Sequence, residues 1–107
     1  MALASNEIKQ QQSIAMIHDI DNVLTRLNQV KVNLLNSVTD LLNFASTLDP
    51  DSPEMKTIER RRQQLAAYEK KIDGEIQAYK NRKKFAETVL NTSSQNVEKA
   101  IARMSRA

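Results

Sequence analysis

Leu48-Asp49-Pro50-Asp51-Ser52-Pro53 is the one strongly punctuated stretch in the 107 residues, and its reading decides the fold. Pro50 disfavours helical backbone at Asp49, while Ser52-Pro53 supplies a helix N-cap followed by the proline that a first helical turn accepts. One helix therefore ends here and a second begins. Toward the N-terminus, Ile17, Ile20, Leu24, Leu27, Lys31, Leu34, Val38, Leu41, Ala45 and Leu48 alternate spacings of three and four without a slip. That is the seam of a coiled coil with one charged member. Toward the C-terminus, Ile58, Leu65, Ile72, Tyr79 and Ala86 recur every seven residues, supported by Tyr68, Ile76, Val89, Leu90, Val97, Ile101 and Met104.

Two long amphipathic helices joined by a short turn fold back on each other. The expected class is all-α, a single domain over 1–107 built as an antiparallel, coiled-coil-like hairpin around the Pro50-Asp51-Ser52-Pro53 turn. Helix 1 is placed at about 6–48, the turn at 49–52 and helix 2 at about 53–104. Composition supports this class: with one Gly, two Pro and no Trp, the chain has little from which to build turns or a bulky aromatic core. Gly74 and the polar run Asn91-Thr92-Ser93-Ser94-Gln95-Asn96 mark where helix 2 is expected to kink or fray.

In such a hairpin residue i faces roughly residue 101 minus i. Asp40 is then expected opposite Arg61, Lys31 near Glu69, and Asp19 and Asp21 near Lys80, Arg82, Lys83 and Lys84. The two halves carry opposite charge: residues 1–50 hold three Lys/Arg and five Asp/Glu, residues 51–107 thirteen and eight. Lys31 within the seam either selects a register or lays its stem on apolar neighbours with the ammonium in water. Residues beyond about 95 are expected to outrun helix 1, leaving Val97, Ile101 and Met104 as a tail with little intramolecular cover.

The apolar face of helix 1 is wider than one neighbour covers. Met16, Val23, Val30 and Phe44 lie along one flank of the seam and Ile14, Leu35 and Leu42 along the other. The candidate interface is therefore Met16, Val23, Val30, Leu35, Leu42 and Phe44, with Val97, Ile101 and Met104 from the tail.

Chemistry is expected to be absent. His18 is the only histidine and no Cys exists, so neither a metal site nor a nucleophile–base pair can be assembled from the usual residues, and no cofactor is expected. No Gly-rich phosphate loop is possible with one glycine. Arg60-Arg61-Arg62 and Lys80 to Lys84 are interleaved with Glu59, Glu69, Glu75 and Glu87, and the net charge is only +3, so nucleic-acid binding is not expected. Residues 1–17 lack the apolar run of a secretory signal, and no stretch approaches the ~20 apolar residues of a membrane span.

The turn and the start of helix 2 resemble the needle-subunit family of type III secretion systems. The resemblance rests on the Pro-x-x-Pro turn Pro50-Asp51-Ser52-Pro53, the segment Leu65-Ala66-Ala67-Tyr68, then Tyr79-Lys80-Asn81 and Ser94-Gln95-Asn96-Val97. Pro53 and Tyr68 stand further apart than in that family, and no Trp lies near the N-terminus. The resemblance implies a small helical hairpin, cytoplasmic before assembly, exported without a signal peptide and stacked helically on its own copies. The expected function is thus a non-enzymatic assembly subunit whose partner is itself or another helical protein. The alternative is a small helical chaperone or adaptor that covers an amphipathic helix of a secreted client.

Overall fold

The structure, a computed structural model, describes the backbone of residues 2–106 and the side chains of 5–105. It contains two helices, α1 (Ala2–Ala45) and α2 (Glu54–Arg106), packed antiparallel as expected. Every member of the α1 seam from Ile17 to Leu48 is buried or half-buried, which is what a strict three-four spacing does when one stripe faces a partner helix. The stripe also runs further than its apolar residues: Asn6, Gln10 and Ser13 continue it with polar side chains, and Ser93 and Ala100 continue the seven-residue series of α2. Tyr68 does not belong to the α2 seam; it stands 55% exposed.

Contacts group into two compact units, Met1–Leu24 with Ala78–Ala107, and Thr25–Gln77. In the first, Ile20, Leu24 and Ala86 form the apolar core, with Ser13 and Ser93 buried beside them. Gln10 Nε2 donates to Ser94 Oγ at 3.1 Å, and Lys83 Nζ meets Asp21 Oδ1 at 2.7 Å. In the second, Ile58, Leu65 and Ile76 are buried, and Lys31 Nζ donates to Asp73 Oδ1 at 2.6 Å.

These pairs fix the register and correct the expected one. The numbers 10 and 94, 21 and 83, and 31 and 73 each total 104. Lys31 comes near Glu69 as expected, whose charge acts on it, but its hydrogen-bond partner is Asp73; the register sets Gln64 opposite Asp40, and Arg61 donates to that Gln64 along its own helix. The reason lies in the turn. The regular part of α1 stops at Ala45, but the N–H groups of Thr47 and Leu48 donate to the carbonyls of Phe44 and Ala45, so a tightened turn carries the chain onward and keeps Leu48 half-buried. Reversal falls on residues 49–53, where the Asp51 N–H donates to Asp49 Oδ1. Ser52 contributes its carbonyl, which accepts the Met55 N–H, and not its hydroxyl: Oγ is buried without a hydrogen-bond partner. The side-chain N-cap expected of Ser52 is thus not formed.

Both ion pairs come from one recurring string. Ile20-Asp21-x-x-Leu24-x-x-Leu27-x-x-x-Lys31 reappears as Ile72-Asp73-x-x-Ile76-x-x-Tyr79-x-x-x-Lys83. When two such strings run antiparallel, the Asp of each meets the Lys of the other, and that is the pairing observed.

α2 continues unbroken through Gly74 and through Asn91–Asn96. The helix does not break here because the polar run has partners: Thr92 Oγ1 donates to the Thr88 carbonyl, Ser94 Oγ accepts from Gln10, and Ser93 is buried at a seam position.

Candidate functional site

Positions one residue outside a seam lie beside the partner helix, where a side chain is half-buried or exposed. In the first unit these positions carry Met16 and Val23 on α1 and Arg82 and Val89 on α2, with Phe85 beside them. They border a shallow groove of about 580 Å³ lined by Met16, Ile20, Tyr79, Asn81, Arg82 and Phe85. It adjoins two smaller hollows that share Met16. One of about 370 Å³ adds Gln12, Ala15, Asp19 and Val23, and one of about 140 Å³ adds Lys9, Ser13 and Val89. Phe85 is 68% exposed and Met16 50%, so the groove offers a large aromatic and a pliable thioether to whatever lies against it. The Arg82 guanidinium sits 4.8 Å from the Tyr79 ring centroid, a cation–π contact that holds a positive charge on the rim. Lys9 adds a second cation and Asp19 one anion.

The second unit displays its own apolar residues. Val30 and Phe44 lie on one flank of the α1 seam, Leu35 and Leu42 on the other, and all four are exposed. On α2, Tyr68 lines a hollow of about 370 Å³ with Gln64, Ala67 and Lys71.

Of the sequence-predicted interface residues, Met16 lines the groove, and Met16 and Val23 together line the hollow beside it. Val30, Leu35, Leu42 and Phe44 are exposed within the second unit. The expected tail is shorter than drawn. Ile101 and Met104 are exposed, but Val97 is half-buried, because the register brings α1 further along α2 than expected. Phe85 and Arg82 were not among the predicted interface residues. Their signal was available: a phenylalanine next to seam residue Ala86 has no seam position of its own, so its ring must lie outside.

Lys31 and Lys83 are each held above the ordinary lysine value of 10.5, first by the hydrogen bond to Asp73 or Asp21 and further by the charge of that carboxylate. His18 is exposed, and among the described residues no three His, Asp or Glu gather as a metal-binding group. No helix among the described residues is long and apolar enough to cross a membrane. Comparison with protein-family models, with curated proteins and with solved structures finds no match to this chain.

Proposed function

We propose that this chain is a non-enzymatic structural subunit that packs against copies of itself through apolar residues outside its seam. The observation that carries the reading is a surplus. The seam of each helix is already covered by the other helix, and yet Met16, Phe85, Phe44, Leu42 and Met104 stand at the surface. Scattered exposed apolar residues are ordinary in proteins, but here several line one groove and others recur along the flanks of one helix, as residues reserved for further helices do. The resemblance of Pro50–Pro53, Leu65–Tyr68 and Ser94–Val97 to the needle subunits of type III secretion systems extends the reading. The subunit is then a needle-, rod- or filament-type component, cytoplasmic until it is exported without a signal peptide.

Sedimentation velocity over a hundredfold concentration range, with negative-stain microscopy of the largest species, tests the proposal. Open-ended species that grow with concentration are expected. A monomer at every concentration, which forms only a closed complex when an amphipathic client helix is added, would replace this reading with that of a chaperone or adaptor.

A further inference from the structure

The string shared by the two helices is longer than its ion pairs require. Displaced by 52 residues, Glu7-x-Lys9-x-Gln11-Gln12-x-x-Ala15 of α1 returns in α2 as Glu59-x-Arg61-x-Gln63-Gln64-x-x-Ala67, ahead of the two Ile-Asp strings. The same displacement converts one compact unit into the other: 1–24 and 78–107 become 53–76 and 26–55, which fall within Thr25–Gln77. The two units are two versions of one design. Hairpin packing accounts for the repeated seam, but not for this segment, whose repeated side chains are all exposed. Elsewhere the outward positions differ. From Met16 to Ala45 no exposed residue of α1 matches its counterpart in α2, except the aspartates of the ion pairs.

The repeated segment builds the same feature in each unit. Gln12, Ala15 and Met16 line a hollow of about 370 Å³ in the first; Gln64, Ala67 and Tyr68, at the corresponding positions, line another of about 370 Å³ in the second. Met16 is 50% and Tyr68 55% exposed, so each hollow offers an amide, a methyl and a large apolar side chain on one helix face. The next lining residue is Asp19 in one and Lys71 in the other, so what the two share is uncharged.

We infer that these are two copies of one contact surface, and that each is covered by either copy of the same surface on a second molecule of this chain. This rests on the self-association reading and names its contact. Self-complementarity selects the occupant. A glutamine amide both donates and accepts, so Gln12 or Gln64 pairs with its equivalent across the contact; alanine lets a helix approach closely; and the shared triplet brings no charge that repels itself. Repetition then fixes the form of the assembly. One self-complementary surface closes a dimer, whereas two on one chain join each molecule to two neighbours and leave the array open.

Valence is the test, in full-length chains carrying Ala15→Arg, Ala67→Arg or both, with Asn36→Arg as the control for a charge added outside both hollows. All three positions are exposed and arginine is a good helix former, so each variant should keep the wild-type circular dichroism. By sedimentation velocity over the hundredfold concentration range, wild type and the control are expected to grow into open-ended species. Either single variant should stop at two chains, since one surface remains, and the double variant should sediment as a monomer. Single variants that grow like wild type, or that fall to monomers, would overturn the equivalence of the two surfaces. A double variant that still assembles, or a control that dissociates as the variants do, would overturn the contact while the self-association of wild type stood. A wild-type chain that is monomeric throughout would remove the functional reading beneath it as well.

Discussion

At the residue scale, the two Lys–Asp pairs set alignment more than they add strength. Their partners are a third to a half exposed, and pairs in such surroundings are weak in water. A shifted register, however, separates both lysines from their aspartates at once. Lys31→Asp is therefore expected to lower the thermal midpoint, and adding Asp73→Lys to restore most of the loss, in a double-mutant cycle followed by circular dichroism. The pH dependence has a definite sign. Since both lysines are held above their ordinary value in the folded chain, their contribution is fully present below about 10.5 and is lost as pH rises through the higher folded value. Wild type should lose stability in alkaline melts above that point, and the Lys31→Gln/Lys83→Gln variant should lose less. Burial supplies the strength instead. Leu65 is 4% exposed, so Leu65→Ala should cost about 2–4 kcal/mol in urea unfolding.

At the element scale, the helices are long because nothing in them forces an end. Gly74 is the one costly helical residue, and it is used for no special conformation: its φ is negative, and a Cβ built there meets nothing within 4 Å. Gly74→Ala is expected to raise stability by about 1 kcal/mol by removing backbone freedom from the unfolded chain. The start of α2 gives a contrasting test. An N-cap serine ordinarily contributes about 1 kcal/mol, but the Ser52 hydroxyl has no partner, so Ser52→Ala should leave the urea midpoint nearly unchanged. A loss of full cap size would show that the hydroxyl caps α2 in solution.

At the scale of the whole molecule, the tail tests how much surface is left for other subunits. Val97 is half-buried, so a charge there would damage the hairpin itself, whereas Ile101 and Met104 are exposed. Ile101→Asp with Met104→Asp should keep wild-type helicity and weaken self-association by sedimentation velocity; unaltered association would remove the tail from the interface. Much of this molecule was legible in its sequence. Heptad spacing from Ile17 to Leu48 and from Ile58 to Ala86 marked the seams, because an α-helix brings residues three and four apart onto one face whatever its surroundings. The two prolines placed the reversal, because they constrain the backbone locally. The register, the unbroken passage through Asn91–Asn96, the idle hydroxyl of Ser52 and the Met16–Phe85 groove were decided only by tertiary structure. Each depends on how far the chain advances around residues 46–53 and on which side chain then stands opposite, and no local propensity encodes either quantity.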